Sequence, residues 1–384
     1  MAQKLSQIFN QLSNRLFPTK RKRLLVVNKC LPRFDRGSGH LRLMSIINIL
    51  AEHYDITFVS ESFSKTSDLD DSKYLQALTD IGVKVYAENL DWDNILKKKF
   101  DVVIFEFYFI ALLYLSIIKK ALPSISVVVD SVDVHFSREI QMAEVHKDEK
   151  MLASALENKK KELAAYKNAD RVWVVTDSDK EALLKECATL NIDIVPNIHT
   201  IGDFDRSDVE KDTMLFIGNF WHQPNEDAMI YFCNEIFPKI KAEVPQAIIK
   251  IVGNAPTKAV KELASDSIQV IGWVPDTKPY LEKCCVSVVP LRYGAGLKGK
   301  VGEAMSAGMP VVTTSIGVQG MDIINGKHLL VSDKPEGFAE YVINILKDND
   351  LRESISINGK EYLKAKYSTD VIKNQLLAVM KDII

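Results

Sequence analysis

No apolar run in this sequence is long enough to cross a bilayer. The longest, FYFIALLYLSII from Phe107 to Ile118, falls short of the roughly 20 residues a spanning helix needs and predicts a buried helix instead. The five cysteines form no CxxC pair, which argues against a zinc ribbon or a disulfide framework and for thiols kept in a reducing, cytoplasmic compartment. Charge of one sign is missing too. With 49 basic and 51 acidic residues and a net charge of -2, nothing marks the chain as a nucleic-acid binder. Neither a secretory leader, nor a repeat at solenoid spacing, nor a coiled coil is legible.

What is present is alternation. At 384 residues the chain exceeds the usual size of one core, so two domains are expected. Strand-like segments (RLLVVNK, DITFVSES, VKVYAE, DVVIFE, ISVVVD, RVWVVT) alternate with helical ones across residues 23–197, including a charged helical stretch from about Phe136 to Asn168. A polar passage over 198–212 follows. A second series (TMLFIGN, AIIKIVGN, IQVIGWV, VSVVPL, MPVVTT) fills 213–366, and a terminal helical segment over 367–384 can cross back to the first series. This pattern predicts two α/β doubly wound domains whose strands run parallel, with ligands at their carboxyl ends. Residues 1–22 carry Leu5, Ile8, Phe9, Leu12 and Leu16 at helical spacing, and a basic cluster, Lys20–Arg23, closes the segment. Such a helix suits an anionic membrane surface, so peripheral contact through residues 1–23 is one expectation, and packing on protein is the other.

The densest chemical signal is VPLRYGAGLKGKVGEAMSAGMPVV, from Val289 to Val312. Gly294, Gly296 and Gly299 stand where a strand hands over to a helix expected to begin near Val301. Unpaired N–H groups and the helix dipole can hold an anion there. Lys298 and Lys300 can neutralise a diphosphate, and Glu303 in the first turn can accept from ribose hydroxyls; alternatively, the glycines only turn the chain and Glu303 only complements the dipole.

GAGLKGKVGEAMSAGMPVVTT, with IGNFWHQPNEDAM and IVGN before it and NGKHLLV after it, resembles the donor-binding domain of retaining GT-B glycosyltransferases of the glycosyltransferase group 1 superfamily. DRGSGHLRL, IVPNI and KYS extend the resemblance over nearly the whole chain from Arg23. It implies two Rossmann-like domains facing across a cleft, an acceptor-binding first domain and a nucleotide-sugar-binding second one. Transfer would proceed with retention, with no cofactor and no metal. Glu303 is implied to hold the ribose, and the loop with Gly294, Ala295, Gly296, Lys298 and Lys300 the diphosphate, with Arg292, Gly218 and Asn219 beside it. Trp273 and Val274 would lie at the base, and Gly37, Ser38 and Gly39 would close from the first domain.

Asp130, Asp133 and His135, in VVVDSVDVHFSRE, are implied to wall the reacting sugar, the choice between Asp130 and His135 staying open, with His40 and Arg138 toward the acceptor. The chain departs from many relatives in having Ala295 where a glutamate contacts the transferred sugar. Asn219 and Asn225 likewise stand where an arginine and a lysine hold the diphosphate. The acceptor, whether glycan, lipid-linked sugar or protein, is not legible, and an epimerase or an inactive accessory subunit of the same architecture stays open.

Overall fold

The computed structural model describes residues 21–66 and 69–384. The apolar stripe of residues 5–16 lies outside them. Seven strands build the first sheet: β1 (Arg23–Asn28), β2 (Asp55–Ser60), β3 (Lys84–Ala87), β4 (Val102–Glu106), β5 (Ser126–Asp130), β6 (Arg171–Val174) and β7 (Ile192–Ile194). They lie in the order β3-β2-β1-β4-β5-β6-β7, every neighbour parallel. Six more build the second: β8 (Glu210–Ile217), β9 (Ile248–Val252), β10 (Ile268–Gly272), β11 (Cys284–Val289), β12 (Val311–Thr313) and β13 (Leu330–Val331). Their order is β10-β9-β8-β11-β12-β13, again parallel. Parallel strands covered on both faces explain why these segments read as continuous apolar runs.

Chain order reverses between β1 and β4 in one sheet and between β8 and β11 in the other, which opens a crevice at the carboxyl end of each. The helices that shape these crevices are α1 (Ser38–Ala51), α2 (Tyr108–Ala121), α3 (His135–His146), α4 (Glu149–Lys167), α5 (Gly299–Ser306), α6 (Asn349–Tyr367) and α7 (Thr369–Lys381). Among the described residues no helix is long and apolar enough to cross a membrane. The Phe107–Ile118 run is only partly buried as α2, because Leu112, Leu113 and Ile117 are exposed.

Several local boundaries differ from the sequence reading. The charged stretch after Phe136 is two helices, not one: Lys147 takes a left-handed conformation, and the Asp148 carboxylate caps α4 by accepting from Lys150 and Met151 N–H. α5 begins at Gly299, two residues before Val301, and β8 begins at Glu210, inside the passage expected to be irregular. The terminal helix α7 does return to the first sheet, where Ile372, Leu376 and Met380 join the core formed with α1. The two covalent crossings run side by side, with His199 bridged to Ser368 and its N–H donating to Tyr367 O at 2.9 Å.

Beneath the first crevice, Arg42 of α1 is 1% exposed. It donates to Asp130 Oδ2 at 2.7 Å and to Val195 O at 2.7 and 3.2 Å, tying α1, β5 and the end of β7 together. Glu106, one strand over and in register with Asp130, is buried; burial and then the Asp130 charge push its carboxyl well above the usual range. Removing one partner of a buried pair strands the other. Asp130→Ala is therefore expected to cost about 3–5 kcal/mol in urea unfolding; an unchanged midpoint would show that Arg42 does not depend on Asp130.

Candidate functional site

The glycine stretch departs from β11, turns through Arg292–Lys298 and enters α5. Two of its residues need glycine for backbone reasons, Gly294 at φ 156° and Gly296 at φ 67°. The others answer to close approach. A Cβ on Gly299 would lie 2.4 Å from Ser38 Cβ, and one on Gly302 would lie 2.2 Å from the His199 ring; on Gly296 it would press Asp133 Cβ and Val132 O at 3.1 Å. The loop thus faces the first domain directly. Its N–H groups are engaged by that domain as well: Gly294 N donates to Gln141 Oε1 at 3.2 Å, and Gly296 N makes a longer contact with Asp179 Oδ1 at 3.4 Å. Asn197 Nδ2 donates to Leu297 O at 3.3 Å.

The cations assigned to the loop part company. Arg292 is turned outward, bonded by two nitrogens to Asp227 and lying 5.1 Å over the Tyr231 ring, so its charge is already neutralised. Lys298 folds back on its own turn, donating to Gly296 O at 2.6 Å and Ala295 O at 3.1 Å. Lys300 bonds Asn225 Oδ1 and lies 4.3 Å over the Phe216 ring. Both lysines are half-buried. Burial pushes Lys298 down to about 8, with Arg138 lowering it further and Asp179 opposing, and pushes Lys300 down to about 7, with Lys298 lowering it further and Glu303 opposing. Glu303 accepts from the Thr277 hydroxyl at 2.7 Å, and burial raises its carboxyl.

The two asparagines hold structure. Asn225 Nδ2 donates to Asn219 O at 2.7 Å, and Asn219 Nδ2 donates across the domains to Arg36 O at 3.1 Å. Gly218 leaves room for the Asn225 side chain, 2.9 Å from where a Cβ would stand. Trp273 is 42% exposed, with the Arg36 guanidinium 5.3 Å over its ring, and Val274 packs on the second core.

On the opposite wall, Gly37 precedes α1 and Gly39 touches Val132, while burial drives His40 down to about 4, leaving it neutral. Asp130 is committed to Arg42. His135 heads α3, its N–H received by Glu162, its ring edge-on to Phe107, Tyr108 and Phe109 at 5.4–6.2 Å. Nδ1 is 3.2 Å from Asp133 O, and burial lowers the imidazole, so the neutral ring donates from Nδ1 and leaves Nε2 to accept. Phe107, just after β4, and Val132, two residues beyond β5, hold φ of 72° and 61°, a conformation bulky and β-branched residues rarely take. Strain of this kind, about 1–3 kcal/mol each, gathers at working sites.

Arg138 pairs with Asp133, whose Cβ lies against Gly296, and Gln141 one turn on reaches Gly294; α3 therefore runs along the glycine loop. The sequence reading put Arg138 toward the acceptor, yet it stands beside the loop of the second domain. His222, which from sequence could reach the crevice or only stabilise its own turn, is pushed down to about 3 by burial and then by Arg138, Lys300, Lys298 and His135. Arg138, Lys298 and Lys300 thus act on the His222 imidazole from both domains. Such an arrangement repels protons and attracts a polyanion. The i, i+3 spacing of Arg138 and Gln141 was the available signal. Nothing in TDSD marks Asp179 as more than a first-turn acid of the helix capped by Thr176, whose hydroxyl accepts from Asp179 N–H and donates to its carboxylate. Among the described residues no group of three His, Cys, Asp or Glu is placed to hold a metal ion.

Gly302 lies inside a helix, where alanine is intrinsically better by about 1 kcal/mol. Gly302→Ala is nevertheless expected to loosen the two domains, seen as faster proteolysis over 198–209 with unchanged helix content. A variant more resistant than the parent would place His199 elsewhere.

Residues 211–348 match the family model described as Glycosyl transferases group 1. The chain is 27% identical over 184 residues to an uncharacterized 44.6 kDa protein in the cps region of Klebsiella pneumoniae, a match covering 46% of this chain and 47% of that protein. It is 29% identical over 148 residues to the lipopolysaccharide core biosynthesis glycosyltransferase LpsE of Rhizobium meliloti, covering 36% and 43%. The chain thus spans less than half the length of these curated relatives. Among solved structures, sucrose-phosphate synthase of Thermosynechococcus elongatus superposes with a TM-score of 0.72 at 15% identity, covering 94% of this chain and 99% of that one. Anabaena HepE in complex with UDP-glucose superposes at 0.70 and 13%, covering 94% and 99%. The fold they share is GT-B.

Proposed function

Since the second domain belongs to the glycosyl transferases group 1 family and sits in a GT-B chain, we propose that this protein transfers a sugar from a nucleotide-sugar to an acceptor hydroxyl, with retention at the anomeric carbon. The observation that carries the reading is the glycine loop, where half-buried Lys298 and Lys300 have only carbonyl and amide oxygens as partners and the helix bearing Arg138 and Gln141 runs alongside. A leaving nucleoside diphosphate gains charge as the glycosidic bond breaks, and fixed cations in a low-dielectric crevice stabilise that charge more in the transition state than in the ground state. Arg138, paired with Asp133 beside the loop, borders the same crevice from the first domain. Glu303 and Thr277 suit ribose hydroxyls, and the neutral His135 with Asp133 suits the sugar face, where Nε2 can accept from a hydroxyl. No protein nucleophile is required, so Ala295 is compatible with transfer.

Donor binding has a structural cost here. The diphosphate must displace Gln141 from Gly294 N–H and turn Lys298 away from its own carbonyls, so the donor site completes itself only as the domains readjust. Relatives described by a cps region and by lipopolysaccharide core biosynthesis support a glycan or cell-envelope polysaccharide as product. A panel of nucleotide-sugars, followed by product analysis, tests the whole reading; no thermal stabilisation by any of them would leave an inactive scaffold, and isomerised donor would make it an epimerase.

Replacing both lysines, Lys298→Met with Lys300→Met, is expected to weaken UDP far more than uridine, whereas Asn219→Ala weakens both little; equal losses in calorimetry would put the lysines away from the phosphates. Glu303→Ala is expected to cost about 1.5–3 kcal/mol of nucleotide affinity in a folded protein.

The pH dependence follows from the same groups. Free Lys300 and Lys298 lose their protons near 7 and 8, and a bound diphosphate raises both, so the complex holds more protons than the free protein above pH 7. UDP affinity should therefore fall as pH rises through 7–9, with proton uptake measurable in buffers of different ionisation heat. A flat profile would contradict it.

A further inference from the structure

The charged helix α4 sends one carboxylate inward. Glu162 is buried, although Lys161 before it is exposed and Leu163 after it is half-buried. A buried carboxylate is costly unless its oxygens are bonded. Both are: Oε2 accepts from Phe136 N–H at 2.9 Å, and Oε1 accepts from His135 N–H at 3.0 Å and from the Tyr166 hydroxyl at 2.8 Å. All three partners are donors, which suits the ionised form. Burial raises the Glu162 carboxyl, and His135, the two N–H groups and the Tyr166 hydroxyl oppose that rise.

This carboxylate caps a helix other than its own. The first N–H groups of any helix lack partners within it, and Val134, which precedes α3, has no side chain to offer one. The residue that Glu162 fixes in this way is His135. It stands near the ring as well: Oε1 lies 4.0 Å from Nδ1, which also faces Asp133 O at 3.2 Å and Asp133 Oδ1 at 3.3 Å. Three oxygens around Nδ1 favour a proton there. Of the other charged groups near the ring, Glu139 on α3 acts in the same sense as Glu162 and is bonded by Asn158, Arg138 is paired with Asp133, and His222 faces it from the second domain. A negative charge behind Nδ1–H makes Nε2 a stronger acceptor.

We propose that Glu162 is a positioning residue of the transfer reaction: by holding the first turn of α3 and the proton on Nδ1, it sets the Nε2 lone pair of His135 toward a hydroxyl of the reacting sugar. The inference rests on the reading that His135 faces that sugar. Positive charge grows on the sugar as the donor bond breaks, and a hydroxyl bonded to an imidazole backed by a carboxylate is then held more tightly. The effect therefore falls on turnover more than on donor binding.

The test is a double-mutant cycle on turnover, followed as nucleoside diphosphate released from whichever of UDP-glucose, UDP-N-acetylglucosamine and GDP-mannose the parent consumes. Glu162→Gln, equal in size and uncharged, is expected to lower kcat about tenfold or more, with KM for the donor changed by less than about threefold. In a His135→Ala background the same change should cost nothing further, because the two residues act as one unit. Glu162→Asp keeps the charge and should retain more turnover than Glu162→Gln; if the glutamine variant does not fold, the aspartate variant carries the cycle, with a smaller loss in the same direction. Tyr166→Phe disturbs the same packing but spares the carboxylate, so its turnover should stay near the parent's. In 15N NMR at pH 7, His135 should show a protonated Nδ1 and a bare Nε2 in the parent, and a mixture of both tautomers in Glu162→Gln. An unchanged kcat in the folded glutamine variant, losses that add in the double variant, an unaltered tautomer, or Tyr166→Phe as damaging as Glu162→Gln would overturn the inference and leave the transferase reading intact. No effect of His135→Ala, or no donor consumed, would overturn the reading beneath it as well.

Discussion

The molecule depends on how closely the backbone of the second domain can approach the first. Gly296, Gly299 and Gly302 press on Val132, Ser38 and His199, and no side chain can be interposed without moving a wall of the crevice. Every group discussed as functional takes its position from this contact. It brings α3 of one domain alongside the glycine loop of the other, so that an arginine from the first half and two lysines from the second share one field. Dispersion and exclusion of water at such a seam stabilise closure only while the fit is retained.

The same contact explains the division of labour between charges. Arg292 and Asp130, both attractive from sequence, are absorbed into tight pairs with Asp227 and Arg42 that hold elements in place. Lys298 and Lys300, whose partners are carbonyl and amide oxygens, have depressed proton affinity and lie beside the crevice. A pair satisfied within one domain has little to offer a ligand, whereas a cation held by a carbonyl or an amide oxygen can exchange that partner for a phosphate.

The alternation of strands and helices was legible because a parallel sheet needs an apolar strand, a covering helix and a return, and each leaves its own periodicity. Boundaries were less so. Nothing short of the capping geometry of Asp148 separates α3 from α4, and the first turn of α5 begins on a glycine that no propensity would choose. The glycine loop stands out in the sequence, but its partners do not, since a sequence does not say which surface a glycine faces; Gln141 and Asp179, which engage its N–H groups, belong to segments that read as ordinary helix. Arg138 was noticed but directed to the other side, because its place depends on how two separately folded sheets meet.

The adjacency of His199 and Ser368 gives the two halves a common seam where the chain crosses twice. Two crossing segments joined by a backbone bridge resist sliding past one another, so rotation about the seam is the relative motion this joint opposes least. Contacts on that line, such as Gly302 with the His199 ring, barely shift as the angle changes, while groups far from it sweep an arc in proportion to their distance. The molecule behaves as a lever: a rearrangement as small as the release of one glutamine from one amide, made away from the pivot, is reported at the far rim as a change in aperture.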